Sequence, residues 1–372
     1  MIDWNKIESS VLDRYEESLR QCMQSPVYHA EGDAYVHTRM ACETLKGLPE
    51  YRALDEQKQH VLYVAALLHD IGKPSHTVFA NGDWHSPSHA PAGSKMAREL
   101  LWKDYGLSGR KELAATREAI SLLVRYHTFP PFAIEHQNAR VQLHRIAANG
   151  LLVPDFSIQM LCLLCKADML GRKSPDQQEM LDKIALCEEL AKEEECFEGC
   201  YPFPSPHTRR AFLAGRDVWK EQELYDDTWG EVVMMSGLPG TGKDTWIRDH
   251  LSDMPVVSLD DIRRANKLPP TANQGLVANV ARDQAKDYLR RQQPFVWNAT
   301  NITPQMRESL VALFETYRAR VRVVYLETEW PVLLERNRSR TAAVPLPAIE
   351  KMLGKTVPPA PHEARTVAWE WV

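Results

Sequence analysis

One seven-residue run constrains the C-terminal part of this chain more than any other feature. Gly237-Leu-Pro-Gly240-Thr241-Gly242-Lys243 fits the pattern G-x-x-x-x-G-K, with the apolar run Val232–Met235 before it and a helical stretch after it. Glycines at these positions let successive backbone N–H groups turn inward around phosphate oxygens. The helix N-terminus adds partial positive charge. Lys243 brings a mobile cation to the β- and γ-phosphates. The flanking sequence supplies the matching scaffold. Val232–Ser236, Pro255–Leu259, Phe295–Ala299 and Val321–Leu326 read as buried strands. Trp246–Leu251, Asn273–Arg291, Pro304–Tyr317 and Pro331–Arg338 read as helices. This alternation predicts an α/β domain, with a parallel sheet covered on both faces. The partly alternating tail Ala364–Val372 is expected to add an edge strand.

The residue after Lys243 departs from the usual pattern. Asp244 stands where Ser or Thr is common, and Thr245 follows. One helical step turns a side chain by about 100°, so Thr245 does not simply replace the hydroxyl. A carboxylate at 244 is a hard oxygen ligand, able to hold Mg²⁺ directly or through water. Further on, Ser258-Leu-Asp260-Asp261-Ile-Arg263 places carboxylates at the C-terminal end of a strand, which faces the ligand crevice of such a sheet. There a carboxylate can accept a proton from an attacking hydroxyl, or simply cap a helix. Arg263 is spaced to hold a phosphate of the acceptor. Another strand ends at Thr300-Asn301, aimed at the same crevice. Arg336, Arg338 and Arg340 alternate at a helix end, so they do not share one face, and each is either a substrate contact or a solvated charge.

The loop Gly237–Thr245, the pair Asp260 and Arg263, Thr300-Asn301 and the segment Arg336–Arg340 together resemble the 5′-hydroxyl polynucleotide kinases of nucleic-acid repair, over most of 231–353. The resemblance implies that Asp260 is the general base and that Arg263 contacts the phosphate beside the acceptor nucleoside. It implies that Arg336 or Arg340 stabilises the transferring phosphoryl group. It also implies ATP or another nucleoside triphosphate with Mg²⁺ as phosphoryl donor. Small-molecule kinases share this core.

Residues 1–200 have a different texture, almost all helix, with apolar residues at three-to-four spacing in Gln59–Leu68, Ala114–Val124 and Ile158–Leu170. Gly199–Pro206, with three prolines and one glycine, marks a boundary. The expected organisation is therefore an all-α domain over 1–200, a connector over 201–228 that is helical from Arg209 to Leu224, and the α/β domain over 229–372. Ten of the 13 histidines fall in the first 200 residues. His69-Asp70 ends an apolar helix, where adjacent polar groups are costly unless paired or metal-bound. His29, His60, His136 and His144 read as surface or satisfied core residues.

The ordered set His37, His69-Asp70, His89, His127, Asp168 resembles the HD phosphohydrolase superfamily, over roughly residues 30–180. That resemblance implies a first metal site of His37, His69, Asp70 and Asp168. It implies a second completed by His89 and His127, with Asp70 bridging. Imidazole with carboxylate suits one or two transition metals such as Mn, Co, Ni, Fe or Zn, which activate water and polarise a phosphoryl oxygen. Lys73, four residues after His69, and Arg172, four after Asp168, are candidates to hold substrate phosphate.

Charge and cysteine content narrow the remaining classes. The formal net charge is -5, with 19 basic against 16 acidic residues in 231–372 and 26 against 34 in the rest. No global basic field advertises nucleic acid, although the C-terminal part allows an anionic ligand. The seven cysteines lack paired zinc-ribbon spacing and read as buried or reduced thiols. The longest apolar runs, such as Val61–Leu68, are too short to span a bilayer, and Met1–Arg20 has no apolar signal core, so a cytoplasmic location is expected.

An HD domain followed by such a kinase resembles bacterial fusions that heal broken RNA or DNA ends. One domain removes a 2′,3′-cyclic or terminal phosphate, the other phosphorylates the 5′-OH, and a ligase acts downstream. Homo-oligomerisation is compatible with this reading. Two alternatives stand beside it. One is a nucleotide phosphohydrolase joined to a nucleoside or metabolite kinase. The other is a nucleotide-binding regulator, against which the intact Lys243, Asp260 and histidine set argue.

Overall fold

The computed structural model describes residues 2–267, 274–340 and 343–372; Met1 and Asn273, which fall in segments read above, lie outside them. The chain divides into two compact units, one of Met1–Ser108 with Glu112–Pro202 and one of Gly109–Lys111 with Phe203–Val372.

The first unit is helical. Its two most apolar helices, Glu56–Leu68 and Ile158–Leu170, are buried nearly all round rather than on one stripe, including all of Val61–Leu68. A helix apolar on every side belongs in the centre of a domain. Helix Ala34–Gly47, capped by the Asp33 carboxylate, packs on both of them. Asp55 and Ser157 cap the two central helices in the same way. The ends of these buried helices are thus fixed points from which side chains can converge.

One element departs from the all-helical expectation. Strands β1 (Val78–Ala80) and β2 (Asp83–His85) form a hairpin, with Phe79 opposite Trp84. The turn is Asn81-Gly82, both at positive φ (54° and 83°). Asn-Gly is the dipeptide that a two-residue hairpin turn favours, so the signal was present in the sequence. The three-residue strands were too short to show alternation.

The second unit is α/β, with a five-stranded, all-parallel sheet. Its strands are β3 (Glu231–Ser236), β4 (Val256–Ser258), β5 (Phe295–Asn298), β6 (Arg320–Glu327) and β7 (Thr366–Trp371), in the order β4-β5-β3-β6-β7. Alternate residues of β3 serve opposite faces. Val232 and Met234 join Phe295, Val311 and Phe314 on one side, while Val233 and Met235 join Trp246, Ile247 and Leu326 on the other. The tail does form the edge strand, parallel to β6. Because the chain leaves β3 toward β4 and β5 and returns on its other side as β6, the sheet order reverses at β3. Ligand crevices open at the C-terminal end of such a strand.

The connector differs from expectation. Its helix is Pro206–Leu213, capped by Ser205, and ends before Gly215 at φ 77° rather than running to Leu224. The segment packs within the second unit through Arg210 and Glu315, 2.7 Å apart, and through Asp226 and Arg365, also at 2.7 Å. Among the described residues, no helix is long and apolar enough to cross a membrane.

Candidate functional site

In the helical unit, six side chains converge from five helix bodies or ends. His37 lies within Ala34–Gly47, and His69 and Asp70 follow Glu56–Leu68. His89 opens His89–Lys103, His127 follows Lys111–Tyr126, and Asp168 lies within Ile158–Leu170. The Asp70 carboxylate stands between two imidazole pairs. Its Oδ2 is 3.3 Å from His69 Nε2 and 3.6 Å from His37 Nε2. Its Oδ1 is 3.4 Å from His89 Nε2 and 3.9 Å from His127 Nε2. Asp168 Oδ1 completes the first group, 2.9 Å from His37 Nε2.

The orientation of the rings matters as much as their proximity. Nδ1 of His69, His89 and His127 lies 2.7 Å from the carbonyl oxygens of Ala66, Ser86 and Val124 respectively. A ring that donates from Nδ1 turns a lone pair inward on Nε2, the arrangement that metal-ligating histidines use. The Nε2 atoms accordingly face one another in pairs, 3.4 Å apart for His37 and His69 and 3.2 Å for His89 and His127. Burial, reinforced by His89 and His69, pushes His127 down to about 3, and burial lowers His89 as well. Burial opposes charge on His37 too, yet hydrogen bonds to Asp168 and Glu31 lift it to about 9. Asp70 Oδ2 is buried without a well-formed hydrogen bond. Four imidazoles whose Nε2 atoms converge on a buried carboxylate fit divalent cations, and a bridging carboxylate fits two.

The supporting residues were only partly foreseen. Lys73 does reach the site, but not as a helical neighbour of His69. The helix ends at Leu68, and Lys73 Nζ lies 2.7 Å from Asp70 Oδ2 and donates to Gln24 Oε1 at 2.8 Å. Gly72 lets this segment pack against the start of helix His89–Lys103, because a Cβ there would collide with the His89 carbonyl oxygen. Arg172 lines the cavity over the cluster with its guanidinium 3.4 Å from Asp176. His29 is a partly buried, hydrogen-bonded residue, and its partner adjoins the cluster. With His37 it faces the buried Glu31 carboxylate, each Nδ1 2.9 Å from Oε1. His144, by contrast, is a satisfied core residue bonded to Glu194 at 3.0 Å. The cavity has a volume of about 420 Å³.

The second unit assembles a separate site at the end of β3. Gly237, Gly240 and Gly242 have φ of 143°, 88° and 86°, in the region that only glycine enters readily. A Cβ at 237 would also stand 2.5 Å from the Leu326 carbonyl oxygen. Thr241 is buried and tightens the loop by donating to Leu238 O. Lys243 opens the helix Lys243–His250, and its Nζ donates to the carbonyl oxygens of Gly237 and Leu238 at 2.9 and 2.8 Å. Burial pushes this ammonium down to about 8, with the charges of Asp244, Arg340 and Asp260 all felt there.

Arg336 is placed by a different observation. Its Nη1 is buried without a hydrogen bond among the described residues and lies 3.6 Å from where a Gly242 Cβ would stand. Arg338 is exposed, as alternate positions on a helix end require. Asn337 pins the segment beyond through reciprocal hydrogen bonds with Val344, 2.8 and 2.9 Å. Ser258, rather than either aspartate, caps helix Leu259–Ala265, leaving Asp260 in the first turn, 72% exposed and 3.1 Å from Arg263. Asp244 accepts from Asn298 Nδ2 at 2.7 Å, a partner 54 residues away that no local pattern announced. Thr245 is exposed. Thr300 acts through its carbonyl, which accepts from Gly237 N. The Asn301 side chain turns inward to Met235 O at 2.7 Å, so it ties β3 in place instead of facing an acceptor. The loop glycines, the helix N-terminus and the cations fit a nucleoside triphosphate.

Comparison with known families agrees with both geometries. The HD domain family matches residues 34–149, and the AAA domain family matches residues 232–359. The chain therefore joins an HD domain to a P-loop kinase-like domain of the AAA type.

Proposed function

We propose that this chain heals nucleic-acid ends in the cytoplasm. Its HD domain hydrolyses a 2′,3′-cyclic or terminal 2′- or 3′-phosphate, and its P-loop domain phosphorylates a 5′-OH, leaving ends that a ligase can join. The observation that carries this reading is the acceptor side of the P-loop. An exposed carboxylate, Asp260, stands within the field of Lys243 beside Arg263, and Arg336 presents a buried nitrogen, without a hydrogen bond among the described residues, next to Gly242. An open acceptor side suits a hydroxyl at the end of a polymer.

In the kinase step, Asp260 takes the proton of the 5′-hydroxyl as its oxygen bonds to the γ-phosphorus, the bond from that phosphorus to the β–γ bridging oxygen breaks to release the nucleoside diphosphate, and Arg263 holds the adjoining phosphate of the acceptor. Lys243 holds the β- and γ-phosphates, while Arg336 and Arg340 offset charge on the transferring group. Asp244, steadied by Asn298, would hold the Mg²⁺ that accompanies the triphosphate. In the hydrolytic step, His37, His69, Asp70 and Asp168 would hold one divalent ion, and Asp70, His89 and His127 would hold a second. Ions so held would supply Lewis acidity toward water and a phosphoryl oxygen. Lys73 and Arg172 orient the substrate phosphate.

The cavity over the histidine cluster also suits a free nucleotide, which favours a second reading: a nucleotide phosphohydrolase joined to a small-molecule kinase. Offering ATP with equal concentrations of a 5′-OH oligonucleotide and free nucleosides separates the two. Transfer to the oligonucleotide supports end healing; transfer to nucleosides alone rejects it.

A further inference from the structure

The hairpin β1–β2 contributes none of the six converging side chains, and it carries exposed aromatic surface. Directly opposed residues of an antiparallel pair point to the same face, so Phe79 and Trp84 stand side by side. Their ring centroids are 5.1 Å apart, edge to face. Trp84 lines the cavity that also holds Asp70, His89 and Arg172, whereas Phe79 stands outside it, 61% exposed. Aromatic surface therefore begins inside the cavity and continues outward along one face of the hairpin. Phe132 lines the same cavity and is 45% exposed. The hairpin is held at both ends, since the Thr77 and Ser86 hydroxyls at its base lie 2.8 Å apart and Ser25 donates to Asp83, beside the turn, at 2.6 Å. A loop anchored in this way holds its rings in fixed positions.

The other contents of the cavity define its ligand. Its floor is the histidine–carboxylate cluster suited to phosphoester chemistry. Its wall includes Arg172, whose buried Nε has no hydrogen bond among the described residues. Phosphate recognition at the floor and flat apolar rings above it together match a nucleotide. The ring outside the cavity matches a second base, because every base has a π-face that stacks on an aromatic side chain. The acidic balance of residues outside 231–372, 26 basic against 34 acidic, leaves little for a cationic backbone track and puts the burden on stacking.

We propose that the hairpin is a base-stacking wall for the 3′ end of single-stranded RNA or DNA. Trp84 takes the base of the terminal nucleotide, whose phosphate rests at the cluster, and Phe79 takes the base before it. This inference rests on the phosphohydrolase reading of that same site. The test measures KM for hydrolysis of a nucleoside 2′,3′-cyclic monophosphate and of a 5′-phosphorylated dinucleotide ending in the same cyclic phosphate. One stacked base is worth roughly five-fold or more in affinity. Wild type is expected to show a KM at least about five-fold lower for the dinucleotide, and Phe79→Ala to erase that difference. Trp84→Ala is expected to raise KM for both substrates. Equal KM values in wild type, or the full difference retained in Phe79→Ala, would overturn the wall. If neither substrate is hydrolysed, the phosphohydrolase reading fails on its own. Fluorescence anisotropy with labelled 3′-phosphorylated mono- and dinucleotides then decides the wall, by whether the dinucleotide gain exists and disappears in Phe79→Ala.

Discussion

Glu31 offers the sharpest test of how the histidine cluster is held. Its side chain is fully buried, with two ring nitrogens and one backbone N–H close around it. Oε1 faces Nδ1 of both His29 and His37 at 2.9 Å, and Oε2 accepts from the backbone N–H of Lys173 at 2.8 Å. Burial works against the charge, yet these hydrogen bonds hold the carboxyl well below the usual carboxylate range. The His37 contact orients the ring so that Nε2 meets Asp168 at 2.9 Å. Glu31→Gln keeps the shape but has one oxygen instead of two. Whichever way the amide turns, an N–H faces either the imidazole Nδ1 atoms or the Lys173 N–H. Loss of such a carboxylate behind a ligating histidine costs about 10- to 100-fold in metal affinity, or about 1.4 to 2.7 kcal/mol. The assay is competition with a chelator for Mn²⁺ or Co²⁺ at fixed pH, with thermal melting of the metal-free proteins alongside. Glu31→Gln that melts like wild type and binds metal equally tightly would refute the reasoning, since the ring would then be oriented without its carboxylate.

Other outcomes follow from the same geometry. Arg336→Ala should lower kcat for phosphoryl transfer by about 10³-fold or more, with nucleoside triphosphate affinity changed only a few-fold; single-turnover kinetics with a separate binding titration checks this, and a change confined to affinity contradicts it. Lys243, at about 8 in the folded chain against 10.5 ordinarily, loses its proton in the nucleotide-free protein above that pH. ATP affinity measured without divalent ions should then fall by up to about ten-fold per pH unit above 8. The same shift has the opposite sign for stability, which should rise between about 8 and 10.5 because the unfolded chain binds the extra proton there. Gly72→Ala should destabilise by about 1–3 kcal/mol and reduce metal stoichiometry, because the new methyl displaces His89 from Asp70; calorimetry and metal analysis report both.

The two halves of the molecule were legible for different reasons. The P-loop is read from one contiguous segment, since backbone dihedrals at Gly237, Gly240 and Gly242 impose residue identity locally. The strands around it announced themselves because burial on both faces demands continuous apolar runs such as Val232–Met235. The histidine cluster is scattered over 132 positions from His37 to Asp168, and its order alone made it visible. What remained hidden depends on contacts between distant positions. Glu31 meets Lys173 across 142 residues, and Asn298 meets Asp244 across 54. Asn301 was aimed at the wrong target because strand-end position does not reveal which way a side chain turns. Lys73 comes to Asp70 by a different geometry from the one expected, since the helix on which the i+4 argument stands ends at Leu68. The Asn81-Gly82 turn could have been recognised, and with it the wall above the cluster.

The central claim is two independent phosphate chemistries on one chain that acts on both ends of a break. The most direct test gives the protein an oligoribonucleotide labelled internally, with a 5′-OH and a 2′,3′-cyclic phosphate, together with ATP, Mg²⁺ and Mn²⁺, Co²⁺, Ni²⁺ or Zn²⁺ in turn. The account predicts that wild type alters both ends, that Lys243→Ala loses only 5′ phosphorylation, and that Asp70→Ala loses only opening of the cyclic phosphate. Unchanged ends beside turnover of free nucleosides and nucleotides would contradict it.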